Sequence, residues 1–314
     1  MKNIKVVFMG TPEFSVPVLE GLIENYQVIG VVTQPDKVVG RKQEIKYSPI
    51  KEVALKHNIV VYQPERIRND YQEIIDLTPD IIITCAYGQI IPKQLLEYPK
   101  YGCINVHASL LPKLRGGAPI HRAIIEGHAK TGITIMYMDE HMDTGDILSR
   151  EELVIEKDFN VGILHDKLSI IGKKLLLETL PNLIEGKIKP IKQNNDEATY
   201  AYNIKREDEL IDFNKKSLEI YNQIRGLNPF PGAYAILDGK IIKIYNSRIT
   251  ERMYTKKQNG EIVNIYDDGI GVSSSDYEIV ITDIKIEGKK RMLVKDYLNG
   301  IDKDKLIGKV FNKE

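Results

Sequence analysis

The sequence predicts an α/β, doubly wound, mostly parallel Rossmann-like N-terminal domain followed by a small β-barrel (OB-like) C-terminal domain. Three observations predict it. The chain has 314 residues, which is long for one hydrophobic core. Apolar, strand-like runs alternate with amphipathic helical stretches through the first half. After a proline-rich break at residues 228–232, the pattern changes to short strands separated by turn residues.

Strand-like and helix-like segments follow each other in order through the first half. Thr11-Pro12 and Ser48-Pro49 each place a capping residue before a proline, which predicts helix starts. A strand, a helix and a second strand in repetition favour a parallel sheet, whose ligands bind beyond the carboxyl ends of the strands. The predicted strands lie at residues 4–9, 28–33, 59–62, 80–85 and 103–107.

The second half begins with a long helical pattern at residues 160–185, for which Asn160 is a plausible cap. The polar, irregular stretch that follows predicts a linker. We therefore expect a catalytic domain at 1–186, a linker at 187–206 and a β-barrel at 207–314. Asp238-Gly239 is a strong signal for a tight hairpin. The other predicted segments are a helix at 217–225 and strands at 233–237, 240–245, 261–266, 277–286 and 291–294.

The composition is that of an ordinary soluble globular protein, with 42% hydrophobic and 28% charged residues. The net charge of +0 means that nucleic-acid binding would need a local basic patch. Cys85 and Cys103 lie in apolar runs, which predicts reduced, buried thiols. The first ten residues do not resemble a signal peptide, and no apolar run approaches the roughly 20 residues of a membrane span. We expect a cytoplasmic protein.

The residues with the clearest catalytic potential follow the last predicted strand of the first half. Asn105 and His107 lie two residues apart, so their side chains point to the same side. An amide donor beside an imidazole suits an oxyanion and a proton transfer, although the pair taken alone is better explained by a turn cap and a structural histidine. Asp143, in an acidic loop, could orient and charge His107, or could simply be an exposed charge.

Several other kinds of site fit the sequence poorly. Gly10 is a single glycine at the first strand-to-helix turn, not the three of a dinucleotide fingerprint. Ser109 lies outside a G-x-S-x-G elbow, which disfavours a serine hydrolase. The acidic loop has Arg150 at the twelfth position of a calcium loop, and zinc-type histidine spacing is missing, so we expect no metal.

The candidate residues belong to a series of short motifs that occur in a fixed order along the chain. The chain resembles the methionyl-tRNA formyltransferase family, within the enzymes that use 10-formyltetrahydrofolate, over nearly its whole length. The motifs that carry the resemblance are Gly10-Thr-Pro-Glu-Phe14, Asn105-Val-His107, Ser109-Leu-Leu-Pro112, Arg115-Gly-Gly-Ala-Pro119, Thr131-Gly-Ile-Thr134, Met138-Asp139, Asp143-Thr-Gly-Asp146 and, in the second half, Asn228-Pro-Phe-Pro-Gly-Ala-Tyr234.

The resemblance implies a role for each matching position. It makes Asn105, His107 and Asp143 the catalytic residues. The formyl donor would be 10-formyltetrahydrofolate, and the acceptor would be methionyl initiator tRNA, bound by a monomer that needs no metal. The folate-contacting residues that it implies are Ser109, Leu110, Leu111, Pro112, Tyr87, Gly88 and Ile90. The tRNA-binding residues that we expect are Arg41, Lys42, Lys205 and Arg206.

Some positions depart from the family pattern. The basic loop reads Gly40-Arg-Lys-Gln-Glu44, where the family usually has Gly-Arg-Gly followed by lysines. Phe230 stands where tryptophan is common, and Leu114 where an aromatic residue is common. Glycinamide ribonucleotide formyltransferase should end near residue 200, so the β-rich tail disfavours it. Amino-sugar-nucleotide formyltransferases can share the core and the tail and are the alternative; a non-catalytic RNA-binding module is a more distant one.

Overall fold

The computed structural model describes residues 3–39 and 43–313. The chain divides into two compact units. The first comprises Met1–Pro119, Lys130–Val154 and His165–Tyr202, and the second comprises Ile120–Ala129, Ile155–Leu164 and Asn203–Glu314. Most of the segment expected to be a linker, up to residue 202, is therefore part of the first unit. Across the described ranges, no helix has the length and apolar character needed to cross a membrane.

The first unit is built on a seven-stranded sheet in the order β5-β2-β1-β6-β7-β8-β9. Neighbours from β5 to β7 are parallel, and β8 and β9 are antiparallel additions. This confirms the predicted doubly wound, mostly parallel class. The strands of the unit are β1 (Lys5–Gly10), β2 (Gln27–Val32), β3 (Lys37–Val39), β4 (Glu44–Lys46), β5 (Val61–Tyr62), β6 (Ile81–Cys85), β7 (Cys103–His107), β8 (Lys130–Tyr137) and β9 (Ile147–Val154).

Helix starts follow local capping chemistry at two of the three predicted places. Ser48 accepts a hydrogen bond from the Lys51 backbone N–H at 3.1 Å, and Asn160 accepts one from Ile163 at 2.9 Å. Both predicted caps are confirmed. The helices in the first half of the chain are α1 (Val16–Asn25), α2 (Pro49–Lys56), α3 (Gln72–Asp76), α4 (Lys93–Leu96), α5 (Pro119–Ile125) and α6 (Val161–Ile184).

The predicted helix start at Thr11-Pro12 is wrong. A short 3₁₀ turn at Glu13–Ser15 precedes α1, which begins at Val16. The Thr11 hydroxyl instead donates to the Tyr87 carbonyl at 3.2 Å and accepts from the Gln34 backbone N–H at 3.4 Å. A contact with residues distant in sequence has thus replaced the local cap.

The second unit contains an antiparallel sheet in the order β10-β11-β14-β13-β12, with β15 paired to β14. Asp238 and Gly239 both have positive φ, 50° and 73°, as the predicted two-residue hairpin requires. The short strand β13 was not predicted. The elements are α7 (Arg206–Glu209), α8 (Ser217–Gly226), β10 (Ala233–Leu237), β11 (Lys240–Met253), β12 (Ile262–Ile265), β13 (Ile270–Val272), β14 (Tyr277–Ile286), β15 (Met292–Leu293) and α9 (Val294–Leu298).

The C-terminal tail joins the two outer strands of this sheet. The Lys309 carbonyl accepts from Ile262, and the Phe311 N–H donates to Gly260, next to β12. On the other side, the Asn312 backbone N–H donates to the Ile236 carbonyl in β10 at 2.8 Å. The tail therefore completes a barrel-like ring around a core of buried aliphatic residues that includes Ile244 and Ile279.

Candidate active site

Asn105 and His107 lie at the carboxyl end of β7, near the middle of the first sheet. In the parallel pairing with β6, Asn105 is the Cα partner of Thr84; in the antiparallel pairing with β8, His107 is the partner of Thr134. The alternation of side chains along a strand directs both residues to the same face. The carboxyl edge of the sheet is where ligands bind in this fold class, so their position suits catalysis.

The Asn105 amide is held in one orientation from β6. The Thr84 hydroxyl, in a side chain only 2% exposed, donates to Asn105 Oδ1 at 2.9 Å. Its other acceptors, the Ile104 carbonyl and Met138 Sδ, lie farther away at 3.2 and 3.1 Å. Within the described residues, Asn105 Nδ2 has no hydrogen-bond partner. The amide N–H groups are therefore left to donate to a ligand.

His107 is buried and has an acceptor near each ring nitrogen. Nε2 lies 3.0 Å from the Leu114 carbonyl oxygen. Nδ1 lies 3.6 Å from Asp143 Oδ2, which is an ion-pair separation longer than a hydrogen bond. Since a carbonyl only accepts, Nε2 carries a proton and donates to Leu114, while Nδ1 faces the Asp143 carboxylate at ion-pair distance. A substrate oxygen could replace the Leu114 carbonyl as the acceptor.

Asp143 reaches His107 from the loop between β8 and β9. Its backbone adopts a left-handed conformation with φ of 56°, which few residues tolerate and Asp tolerates better than most. The backbone N–H of Gly116 donates to Asp143 Oδ2 at 2.8 Å. The same carboxylate oxygen therefore faces both Gly116 and His107. The structure thus brings together all three residues that the sequence predicts to be catalytic.

The predicted folate-contacting segment Ser109–Pro112 is a loop held by internal hydrogen bonds. Ser109 is fully buried, and its hydroxyl donates to the Lys113 carbonyl at 2.6 Å. Thr134 Oγ1 accepts from the Leu111 N–H and donates to the Ser109 carbonyl. Leu111 is buried, whereas Leu110 and Pro112 are partly exposed. The Ser109 hydroxyl therefore shapes the loop, and the loop's partly exposed side chains remain available to a ligand.

The second predicted folate-contacting segment follows β6, the strand beside β7. Gly88 has φ of 86°, and Ile90 is 66% exposed. Tyr87 is buried, and burial raises the pKa of its phenol to about 12; its hydroxyl has no hydrogen-bond partner in the described part of the chain. Ile90 can contact a ligand directly, whereas the Tyr87 side chain packs into the hydrophobic core beneath the segment.

Only two of the predicted tRNA-binding residues, Lys205 and Arg206, lie in the described part of the chain. Arg41 and Lys42 lie outside the described residues. In the second unit, Lys205 is exposed and forms an ion pair with Glu207 at 3.5 Å. The Arg206 guanidinium lies 3.8 Å from the centre of the Tyr234 ring and is paired with Glu209. Arg206 is therefore already engaged by its own unit, and Lys205 is the more available cation.

Three residues that sequence reasoning did not assign to the site support it. Thr84 could have been noticed as a polar residue inside an apolar strand. Arg115 was used only as part of a motif, although it is 2% exposed and donates to Gln193 at 3.1 and 2.8 Å. Gln193 lies in the segment expected to be a linker, and no local pattern distinguishes it.

Family models match both halves of the chain. The model described as formyl transferase matches residues 2–180. A second model, formyl transferase, C-terminal domain, matches residues 203–302.

Similar proteins cover nearly the full length. A methionyl-tRNA formyltransferase of Bacillus subtilis is 53% identical over 300 residues, which covers 94% of this chain and 94% of the relative. One of Bacillus cereus is 55% identical over 304 residues, covering 95% and 96%.

Solved structures share the fold. An N-formyltransferase from Helicobacter canadensis, in complex with folinic acid and dTDP-3-aminofucose, superposes with a TM-score of 0.65 at 22% identity, covering 88% of this chain and 98% of that one. A methionyl-tRNA formyltransferase from Clostridium thermocellum gives 0.56 at 20% identity, covering 90% and 98%. At these identities the likeness concerns the fold alone.

Proposed function

Because the chain belongs to the formyltransferase family, we propose that it transfers the formyl group of 10-formyltetrahydrofolate to the α-amino group of methionyl initiator tRNA. The observation that carries this proposal is the identity of 53–55% to methionyl-tRNA formyltransferases, spread over 94–95% of the chain. The identity extends beyond the catalytic core into the β-rich second half. The product is formylmethionyl-tRNA for translation initiation, which places the enzyme in the cytoplasm.

In this reaction the methionine amine attacks the formyl carbon on N10 of the folate, and a tetrahedral oxyanion forms. Asn105 Nδ2, whose orientation Thr84 sets, donates to that oxygen. The imidazolium of His107 donates as well, once the oxyanion replaces the Leu114 carbonyl. Each such donor contributes on the order of 3–4 kcal/mol to stabilising the transition state. Both side chains are carried by the same strand, β7, so the two donors approach the oxygen from one face of the sheet.

Proton transfers complete the reaction. The attacking nitrogen becomes positively charged and loses one proton, which Asp143 helps to remove through water. The C–N10 bond then breaks, and the leaving nitrogen takes a proton, for which His107 is the donor. The carboxylate of Asp143, 3.6 Å from Nδ1, stabilises the charged imidazole until His107 gives its proton to the leaving nitrogen. The formyl amide is already activated by its aryl nitrogen, so the mechanism includes no metal-dependent step.

The two substrates use different parts of the chain. Residues 1–186 form the catalytic domain, with Ser109, Leu110, Leu111 and Pro112, together with Tyr87, Gly88 and Ile90, around the folate. The segment 187–206, most of which belongs to the first unit, leads to the tRNA-binding domain at 207–314. Arg41, Lys42, Lys205 and Arg206 contact the tRNA backbone, and the enzyme acts as a monomer.

Formylation of an amino-sugar nucleotide is the second candidate. The structural likeness to the N-formyltransferase from Helicobacter canadensis, seen with dTDP-3-aminofucose, favours considering it. That likeness has 22% identity, well below the identity to the tRNA enzymes, so the tRNA acceptor is the better-supported proposal.

A direct assay separates the acceptors. The protein is incubated with 10-formyltetrahydrofolate and either methionyl initiator tRNA, the same tRNA without methionine, or an amino-sugar nucleotide. Formylation of the charged tRNA alone is the expected result. Turnover of the sugar nucleotide with no reaction of charged tRNA would replace the proposed acceptor with the alternative.

Variants test the catalytic residues in the same assay. His107→Ala and Asp143→Ala should each lower kcat by orders of magnitude while folate binding survives. A matched control is His128→Ala, which removes a histidine that pairs with a carboxylate, Glu126, at 3.2 Å on another part of the chain. Near-normal kcat in either site variant would remove that residue from the mechanism.

A further inference from the structure

The segment 191–201 holds two loops of the candidate site together by hydrogen bonds. Ile191 exchanges two backbone hydrogen bonds with Ile147, just beyond the Asp143 loop, at 2.8 and 2.9 Å. Near its other end, the Thr199 carbonyl accepts from the Arg115 N–H at 2.9 Å, and the Ala201 N–H donates to the Arg115 carbonyl at 2.7 Å. This segment, expected from sequence to be a linker, therefore forms part of the framework of the site.

Gln193 lies between the two loops, and its amide is fully used. Nε2 donates to the carbonyl oxygens of Asp143 and Gly145, each at 2.8 Å. Oε1 accepts from Arg115 Nε at 3.1 Å and from Arg115 Nη2 at 2.8 Å. An amide offers two N–H donors and two lone pairs, so every hydrogen-bonding position of this side chain is occupied.

Arg115 fixes which way the Gln193 amide faces. Its side chain is 2% exposed, and its Nη2 also donates to Asn195 Oδ1 at 2.9 Å. In residues 3–39 and 43–313, no carboxylate forms an ion pair with this guanidinium. A reversed amide would set N–H donors against a buried cation and an acceptor against two carbonyls, so only one orientation is satisfied.

The loop that Gln193 contacts, around Asp143 and Gly145, has an unfavourable backbone conformation. Asp143 has φ of 56°, which is unfavourable for a residue with a side chain. Gly145 packs so closely that a Cβ there would lie 2.0 Å from the Tyr137 carbonyl oxygen. The Gly116 N–H bonds the Asp143 carboxylate, whereas Gln193 donates to the backbone of the loop, at the carbonyl oxygens of Asp143 and Gly145.

We propose that Gln193, oriented by the buried guanidinium of Arg115, is a positioning residue that sets the Asp143 carboxylate against His107. This inference rests on the proposed catalytic role of Asp143. It gives the segment 191–201 a function in the chemical step, because displacement of a catalytic group by about 1 Å can lower turnover by on the order of 100-fold.

Gln193→Glu tests the proposal because it changes the contact with the Asp143 loop and leaves the contact with Arg115. The variant keeps an acceptor for Arg115 and loses both donors, so two carbonyls face a carboxylate. We expect kcat to fall by on the order of 100-fold with an unchanged KM for 10-formyltetrahydrofolate. Asn195→Ala is the matched control: it removes a hydrogen bond from the same guanidinium without touching the Asp143 loop, and kcat should stay near the wild-type value.

Hydrogen exchange supplies a measurement that does not depend on the acceptor. Backbone amides of residues 138–146 should exchange faster in Gln193→Glu, while those of β7 remain protected. Normal kcat or unchanged exchange in Gln193→Glu overturns the proposal, and so does an equal loss of kcat in Asn195→Ala. If wild-type protein formylates no charged tRNA, the proposed function fails, but the exchange result still tests the contact.

Discussion

Replacing Thr84 by valine tests whether Asn105 acts through a fixed amide orientation. Valine has nearly the same shape and removes the hydroxyl that donates to Asn105 Oδ1 at 2.9 Å. Thr84 is 2% exposed, so water cannot readily take the place of that donor. Without it, the Asn105 amide can rotate, and Nδ2 no longer points consistently at the formyl oxygen.

The magnitude follows from the single hydrogen bond that is lost. Such a bond contributes about 0.5–1.5 kcal/mol. If the whole of that amount is lost from the transition state, kcat falls by about 2- to 13-fold, since about 1.4 kcal/mol corresponds to a factor of ten. Asn105→Ala removes the donor itself and should lower kcat by about 100- to 1000-fold.

A double-mutant cycle distinguishes orientation from general damage. Single-turnover formylation rates are measured for wild type, Thr84→Val, Asn105→Ala and the double variant. Because Thr84 acts only through Asn105, adding Thr84→Val to Asn105→Ala should lower the rate no further. Thr131→Val is the matched control: Thr131 is also buried in the same sheet, and its hydroxyl has no hydrogen-bond partner within the described ranges.

Two outcomes refute the reasoning. If the effects of Thr84→Val and Asn105→Ala multiply in the double variant, Thr84 influences turnover by another route. If Thr131→Val lowers the rate as much as Thr84→Val, the effect belongs to any buried threonine of the sheet and not to the amide orientation.

Two further predictions concern the thiols and the tRNA. Burial raises the pKa of Cys85 to about 12 and raises that of Cys103 as well, so at pH 8 roughly one Cys85 in ten thousand is a thiolate. Iodoacetamide should therefore label neither cysteine in the native protein and both after unfolding. Rapid labelling of the native protein would contradict the buried placement. The KM for tRNA should rise steeply with salt, and Lys205→Gln should lower the slope of log KM against log salt by about 1; a salt-independent KM would remove Lys205 and Arg206 from the tRNA contact.

Sequence reasoning located those features that depend on neighbours in the chain. The apolar runs identified β6 and β7, and the two-residue period of a strand placed Asn105 and His107 on one side. The caps at Ser48 and Asn160 were found because the side chain bonds a backbone group three residues away. The motif order identified the family, and thereby Asp143, which periodicity alone would not have selected.

Sequence reasoning missed short elements and places where a long-range contact replaces a local one. The three-residue strand β13 (Ile270–Val272) contains a glycine and has too few residues to show a period. Thr11 has the chemistry of a cap, but its hydroxyl bonds Tyr87, 76 residues away in sequence. Tertiary contacts override local propensity, so only the folded chain decides where such a residue is used.

The sequence alone was sufficient to predict the parallel sheet, the pair Asn105 and His107 on β7, and the family. The tertiary structure decided how Asp143 meets His107, since the loop that carries it adopts a positive φ and is held by Gly116 and Gln193. It also made the expected linker part of the site. Gln193 and Arg115 are 78 residues apart, and no local pattern records a hydrogen bond between side chains that only folding brings together.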